Sequence, residues 1–490
     1  MPKSKEGFLW SPRQTIDGLE TEAVIQSSPS IKSAYDAIVI GTGFAGLIAA
    51  RNLSQDPNTS VLLIEARDRI GGRTWTAKAF GEEFEMGGTW VHWGQPHLYH
   101  ELHRYGLHRY LKTSAGTSAA EKQYFNTGAE GIKEIDPEEG AMILEKVAVE
   151  FFTIDGLSSR ELMPFPHEPF RKPGLWQKYD HLTVKQRLDL LTGFSSFEKD
   201  LFESNVSTFG SAPGAETGFT EALRWFALGG HSMAGVYERA GIYKIGHGGM
   251  TSFARAILED FKGDIVMDTV VEQIDEGRNG VTLHVSGGRK LHGKAIISTI
   301  PLNCLKDITF NPPLSRLQRE AIASGHINQG AKIHFRLSAT ESGWFATSHA
   351  SGGSSFLFAF SDHNGNKPSG PQGTWCIGFG YNGHLTDKRG SSHIIKKFQE
   401  NIKPDASIQA YLTHDWMNDP FAKGTWCCWG PNHFSKYMQE LQKPHGRVFF
   451  ASADWADGWR GFVDGAIESG QKAASDVKTR IASASPTVRL

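Results

Sequence analysis

Residues 35–65 read YDAIVIGTGFAGLIAARNLSQDPNTSVLLIE. Tyr35 to Ile40 is a short apolar run of the kind that forms a strand buried on both faces. Gly41, Gly43 and Gly46 follow at the G-x-G-x-x-G spacing, and Leu47, Ile48, Ala49, Ala50 and Leu53 then carry the apolar spacing of a helix. Ser60 to Glu65 predicts a second strand that ends in a carboxylate. Each part has a task in holding a dinucleotide. Gly41 permits the tight turn, Gly43 lets backbone amides approach a pyrophosphate, and Gly46 lets helix and strand pack closely. The helix N-terminus faces the anion. Glu65 stands where an acceptor for a ribose hydroxyl is expected, and its charge argues against a 2′-phosphorylated cofactor. The glycine spacing alone is a weak pattern; strand, helix and acid together set it apart from an ordinary strand-turn-helix.

Outward from this unit, Glu65-Ala66-Arg67-Asp68-Arg69-Ile70-Gly71-Gly72-Arg73 places cations and a glycine pair where the same pyrophosphate would lie, and Glu85 to Trp90 adds another glycine loop. A simple nicotinamide domain needs neither. Near the far end, Trp459 to Ala466 (WRGFVDGA) suggests that the chain returns to close the same site.

With EARDRIGGRTW (65–75), EMGGTWVHW (85–93), MPFPH (163–167), TIPLNCL (299–305), FAKGTW (421–426) and WRGFVDGAIE (459–468), the chain resembles the flavin-dependent amine oxidase family from about Tyr35 to Val477, and is most similar to its fungal monoamine oxidases. The first motif also occurs in desaturases; the last two are more specific. The resemblance implies a discontinuous, Rossmann-like FAD-binding domain joined to a mixed α+β substrate domain. It implies cofactor contacts at Phe44, Ala45, Ala66, Arg67, Gly72, Arg73, Gly87, Gly88, Thr89, Trp90, Val271, Asp454 and Val463, beside Gly41, Gly43, Gly46 and Glu65. Trp426 and Phe462 match two aromatic side chains that face one another before the flavin and guide a neutral amine to it. Which residue of Gly424-Thr425-Trp426-Cys427 faces the flavin depends on a one-residue alignment choice. Lys332 matches a lysine that holds a water against the flavin and assists its reoxidation by dioxygen. His92, Trp93, His231, Tyr237 and Gly241 are candidate borders of the substrate channel.

Some family members attach their flavin to a cysteine after paired glycines. Here Trp426 takes that place, so a dissociable FAD is expected, with Cys427 as the alternative anchor and Cys428 as a packing thiol. For each aromatic the plainer reading is core packing, and for Lys332 it is a solvated surface residue.

The bulk properties agree with an enzyme of small molecules. In 490 residues, 51 Lys and Arg against 53 Asp and Glu give a net charge of −2, which implies no polyanionic partner. Cys304, Cys376, Cys427 and Cys428 show neither disulfide nor zinc spacing, so a reducing compartment is expected. No secretory signal and no apolar run long enough to span a membrane is visible. Val488-Arg489-Leu490 resembles the peroxisomal tripeptide except at Val488, which leaves peroxisome or cytosol. A homo-oligomer is compatible with these features.

The expected division is an N-terminal arm (1–33), loosely attached; FAD-binding segments at 34–112, 233–321 and 418–482; substrate-binding segments at 113–232 and 322–417; and a tail (483–490). Strands are expected at 264–267, 281–285, 295–300, 332–337 and 447–451, helical segments at 189–191 and 220–227, a final helix from Gly465, and loops at Gly352, Gly353, Gly365, Gly370 and Gly373.

The reading that follows is FAD-dependent oxidation of an amine to an imine, hydrolysed to carbonyl product and ammonia, with dioxygen reduced to hydrogen peroxide. An oxidase or desaturase tailoring a larger alkaloid-type amine, and a polyamine or amino-acid oxidase, share these motifs. A binding module without flavin is the reading from another class, and would purify colourless.

Overall fold

The computed structural model describes residues 1–114, 120–328, 330–349, 354–362, 373–381 and 390–484. Ala34–Ile40 lies inside an eight-stranded sheet, parallel to Val61–Ile64 on one side and to Arg289–Ser298 on the other. Ala37, Ile38 and Val39 are completely buried, as the unbroken apolar run requires. Asp264–Val266 extends the sheet beyond Val61–Ile64, and Val448–Phe450 pairs in parallel with the end of Arg289–Ser298. The start of that same strand continues into the antiparallel strands Gly280–Val285 and Val271–Gly277. Three separated stretches of sequence thus meet in one sheet.

The turn after Ile40 follows from its glycines. Gly41 has φ +104°, and its amide donates to the Ile64 carbonyl at 2.7 Å. A Cβ on Gly46 would sit 1.9 Å from the Gly41 carbonyl oxygen, so helix Phe44–Ser54 can start there only with glycine at that position. The closing helix Val463–Ala484 packs across it, with room for nothing larger than glycine at Gly470.

A second, nine-stranded sheet runs in the order Gln14–Asp17, Phe8–Ser11, Ile408–Thr413, Gly330–Leu337, Thr374–Tyr381, Phe356–Ser361, Trp344–Ser348, Lys122–Asn126, Ile132–Ile135. Its pairs are antiparallel except Trp344–Ser348 with Lys122–Asn126. Along Gly330–Leu337 the period of two sends Ile333, Phe335 and Leu337 into a core with Phe356, Phe398 and Tyr411, which leaves Lys332 and His334 on the other face. The alpha/beta architecture expected from the motifs is present.

Several expectations need correction. The leading segment is not a loose arm: Phe8–Ser11 pairs with Ile408–Thr413, Leu9, Leu19 and Ala23 are buried, and Glu6 forms ion pairs with Arg67 and Arg69. Its few apolar residues find sheet and core positions that composition does not reveal. The helix expected at 189–191 is Val184–Asp189; it stops there, with Leu190 exposed and Leu191 buried. Helix Met233–Gly241, expected with the nucleotide-binding segments, packs on the helices Pro137–Phe151 and Phe219–Leu228, because Met233 and Val236 belong to their core. Gly373 has φ +94° at the entrance to Thr374–Tyr381. Gly352, Gly353, Gly365, Gly370 and Val488 to Leu490 lie outside the described residues. Among the described residues no helix is long and apolar enough to cross a membrane.

Candidate active site

A cavity of about 790 Å³ runs from the glycine turn of the first sheet to the aromatic face of the second. At its first end it is lined by Gly41, Gly43, Phe44 and Ala45 of the turn, by Glu65, Ala66 and Arg67 after the second strand, and by Gly72 and Arg73. Gly46 lies beneath the turn, where its role is close packing. Helix Phe44–Ser54 begins without a side-chain cap, so the amides of its first turn are available to an anion. Glu65 accepts from the Thr42 amide at 2.8 Å and the Arg67 amide at 2.9 Å, which fixes the carboxylate at the cavity wall. An uncapped helix start, two apposed glycine turns and a fixed acid fit the diphosphate and ribose of FAD.

The cations of EARDRIGGR do different work from that expected of them. Arg67 grips Asp419 with both arms, at 2.7 and 2.9 Å, and also pairs with Glu6; Arg69 pairs with Glu6 and donates to the Gly72 carbonyl at 2.8 Å. Buried guanidinium groups need such carboxylates. Burial alone would raise the Asp419 carboxyl, but His414 and Arg67 outweigh it and hold it well below the usual range. Arg73 donates to the Thr425 carbonyl at 2.8 Å and to Asp454 at 2.7 Å, while the other oxygen of Asp454 accepts from the Leu302 amide. Asp454, expected at the cofactor, stands behind Arg73 and does not line the cavity, since its carboxylate is consumed in joining three loops.

Midway, Gly87, Gly88, Thr89, Trp90, Val271 and Val463 line the wall. Here Lys332 reaches across from the second sheet. Its buried amine donates to the Glu85 carbonyl at 2.7 Å, the Gly87 carbonyl at 2.9 Å and Thr89 Oγ1 at 2.6 Å. An ammonium has three hydrogens, so the charged form has none left for a water. Burial lowers the Lys332 pKa against the opposing pull of Glu85, whose own carboxyl is raised by burial. In the neutral form the amine donates to only two of these oxygens and turns its lone pair to the third, so in either form its three positions are occupied by Glu85, Gly87 and Thr89.

The far end is aromatic. Trp426 and Phe462 both line it with no ring contact between them. Trp426 Nε1 donates to the Phe209 carbonyl at 2.7 Å, and Phe462 packs 4.9 Å from Trp225. Phe209 and Trp225 in turn stack at 4.8 Å with rings 5° from parallel, so one stacked pair braces both walls. Trp225 sits on helix Phe219–Leu228 beside Arg224, which donates to the Gly458 carbonyl at 2.9 Å and to Glu221 at 2.6 Å; Glu221 also pairs with Arg460. These buried ions fix the turn that presents Phe462. Tyr237 and Gly241 line the cavity, and the Tyr237 hydroxyl donates to Asn205 at 2.6 Å.

Other expected positions lie elsewhere. His92 is buried with Nδ1 accepting from the Gly94 amide, Trp93 is 49% exposed, and His231 bonds Ser159; none of the three lines the cavity. Cys427 is also outside it, buried against the Asp454 carbonyl, and burial raises its thiol pKa well above the ordinary value; Thr425 and Trp426 hold the cavity wall instead.

The sequence reading missed Phe345, Phe358, Phe360 and Phe379, which complete the aromatic wall. The run Phe356-Leu357-Phe358-Ala359-Phe360 carried a partial signal by its alternation. However, a bulge between Phe356 and Phe358 turns Phe356 into the opposite core and Phe358 toward the cavity, where it stacks on Phe379 at 4.5 Å.

Comparison with known proteins agrees with this geometry. The family described as flavin containing amine oxidoreductase matches residues 44–478. Pseudooxynicotine dehydrogenase of a Pseudomonas species is 32% identical over 464 residues, covering 94% of this chain and 90% of that protein. Nicotine dehydrogenase of Pseudomonas putida is 29% identical over 457 residues, covering 91% and 88%. The solved structure of putrescine oxidase bound to putrescine superposes with a TM-score of 0.74 at 21% identity, over 91% of this chain and 99% of that one, a likeness of fold.

Proposed function

The chain belongs to the flavin-containing amine oxidoreductase family, and from that premise we propose that it oxidises a largely apolar monoamine to an imine, with dioxygen as electron acceptor and hydrogen peroxide as product. The observation that carries this reading is the aromatic chamber continuous with the glycine-lined nucleotide end. When bound, FAD would supply the redox chemistry, accepting a hydride equivalent (two electrons and a proton) from the α carbon of the amine and passing the two electrons to dioxygen.

The chain's own residues bind, orient and exclude water. In this reading the Gly41 to Gly46 turn holds the diphosphate, Glu65 the ribose, and Arg73 the loop that carries Trp426. Trp426 and Phe462 flank the amine, and their faces favour the neutral base over a hydrated cation's shell. Lys332 stands at the cavity wall, where its amine meets a water once one of its three partners, Glu85, Gly87 or Thr89, gives way. The two sheets serve as nucleotide-binding and substrate-binding parts, the second now including the N-terminal strands and helix Met233–Gly241.

The charged residues lining the cavity are Glu65, Arg67, Arg73, Glu272, Asp307 and Lys332. All but Lys332 come from the first sheet or the loops that follow its strands. Among the described residues the aromatic end therefore offers neither a carboxylate for a second ammonium nor an arginine for a substrate carboxylate, which weighs against polyamines and amino acids. Cys427, outside the cavity, supports a dissociable FAD. The four cysteines are all free and buried, in keeping with a peroxisomal or cytoplasmic setting; size-exclusion chromatography decides whether the working form is a homo-oligomer.

The test is a peroxide-coupled assay of the purified protein against primary, secondary and tertiary monoamines, diamines, polyamines and amino acids, with amines of the nicotine type included because two relatives carry that name. Turnover concentrated in apolar monoamines supports the reading. Preference for a polyamine or amino acid would overturn it.

A further inference from the structure

Where helix Pro96–Arg104 packs on the start of the closing helix, three potential metal ligands converge. Asp464 and Glu468 stand four residues apart on Val463–Ala484 and so share a helix face. His97, in the first turn of helix Pro96–Arg104, meets them from a neighbouring element. One ligand atom from each of the three lies within 4.8 Å of the others.

The partners of each group point to a missing occupant. Asp464 is fully buried; its Oδ1 accepts from the Leu98 amide at 2.8 Å, and its Oδ2 has no hydrogen-bond partner. A carboxylate oxygen without a partner in a buried setting is costly. Glu468 Oε2 accepts from the Gly458 amide at a long 3.2 Å. Neither carboxylate forms an ion pair with a lysine or arginine among the described residues, so two acids lie together without a balancing cation. His97 Nδ1 lies 3.2 Å from Gln471 Oε1. With that nitrogen protonated, Nε2 is free to ligate, the outer-shell arrangement usual for metal-bound histidine.

The Glu6, His414 and Asp419 cluster is an internal contrast. It has a similar donor set within the same limit, but Arg67 and Arg69 balance its charge and its carboxylates are taken up in ion pairs. That cluster is a structural ion network. The one at Asp464 has no arginine or lysine, and burial raises both of its carboxyls, Asp464 to about 6 and Glu468 to about 7, so that without an ion they come together only by holding protons.

We propose that His97, Asp464 and Glu468 bind one divalent transition-metal ion, of the Zn²⁺ or Mn²⁺ class that mixed imidazole and carboxylate donors favour. His97 and Glu468 are each partly exposed, which gives the ion access and leaves coordination positions for water. Bound there, the ion ties the start of the closing helix to helix Pro96–Arg104, directly behind Phe462 and Val463.

The test uses the flavin-loaded full chain, stripped of metal with a chelator and then titrated with Zn²⁺ alone. We expect one equivalent of zinc to survive gel filtration, a melting temperature that rises with zinc concentration, and affinity weakened at least about tenfold in Asp464→Asn and in Glu468→Gln. Glu6→Gln, in the contrasting cluster, should leave zinc binding unchanged. Co²⁺ added to the parent chain gives a check independent of any variant's folding, since ligation by a histidine nitrogen and carboxylates yields visible absorption bands that Zn²⁺ abolishes. No retained zinc and no cobalt bands, or zinc binding equal in parent, Asp464→Asn and Glu468→Gln, would overturn the proposal.

Discussion

At the nucleotide end of the cavity, residues 35–65 supply strand, turn, helix and acid in a single run; Gly46 is fixed by Gly41 five residues earlier, while Gly41 itself is closed in by Thr299. At the aromatic end, Phe209, Trp225, Phe358, Phe379, Trp426 and Phe462 arrive from separate stretches and are held by one another and by buried ions. The first end is a backbone site, closed to an added side chain at Gly41, Gly46, Gly71 and Gly87. The second is a side-chain site, whose walls can change while the backbone stays. The difference teaches where change is tolerated: new specificity belongs at the aromatic end, and loss of cofactor at the glycine end.

The sharpest way to break this comparison is at Gly46. A side chain there meets the Gly41 carbonyl at 1.9 Å, so Gly46→Val should yield no soluble flavoprotein, at a cost beyond the about 3 kcal/mol of ordinary overpacking. A yellow, folded Gly46→Val protein would show that the turn is not rigid. Next comes Arg73→Ala, which leaves Asp454 buried with its cation removed. We expect a loss of about 3 kcal/mol in urea unfolding together with weakened FAD retention; unchanged values for both would mean that the loops carrying Trp426 and Asp454 hold without Arg73.

How much of this was legible follows from the same contrast. Gly41, Gly46 and Glu65 could be placed from sequence because their spacing within one strand-turn-helix-strand run is itself the pattern, although Gly41 also packs against distant Thr299. Arg67 and Asp454 were read as cofactor contacts, whereas their roles as ties depend on Asp419, Glu6 and Arg73, which no local pattern brings together. Tyr237 could be found, whereas His92, Trp93 and His231 could not be separated from it, since which face of a loop or helix reaches the cavity is decided by packing. Phe358 was hidden by a bulge that breaks the period of two. The N-terminal strands were missed because Phe8, Leu9 and Trp10 form only a short apolar triplet within a polar segment, and Leu9 and Leu19 gain their burial only from distant partners, Ile408–Thr413 and the core beside it.

Smaller effects sharpen the side-chain end. Trp426→Ala should keep the flavin spectrum and lower kcat/KM for small amines by about 10- to 100-fold, the scale of a hydrophobic pocket contact, while bulkier amines lose less. Loss of flavin in step with activity would mark Trp426 as a fold residue. Lys332→Met should bind amine normally but slow reoxidation of the reduced flavin by about tenfold, or about 1.4 kcal/mol; stopped-flow mixing with oxygenated buffer measures it, and equal rates would remove Lys332 from the oxidative step.

The smallest effect is one of pH. Asp419 has a folded pKa held below its ordinary 3.8, so its contribution to stability is present above that value and is lost as pH falls through the lower folded pKa. Asp419→Asn should therefore be less stable than the parent at neutral pH, with a difference that narrows in acid below about pH 4. A gap that stays constant across an acid unfolding series would assign the loss to packing.

The central claim is that an amine in the aromatic chamber is oxidised by flavin held at the glycine turn. Its most direct test is anaerobic addition of an apolar monoamine to the purified yellow protein, followed by admission of dioxygen. The account predicts that the visible flavin bands bleach, return on oxygenation, and yield one hydrogen peroxide per amine consumed. Bands that stay unbleached across the whole amine panel, or a colourless protein that binds no FAD, would contradict it.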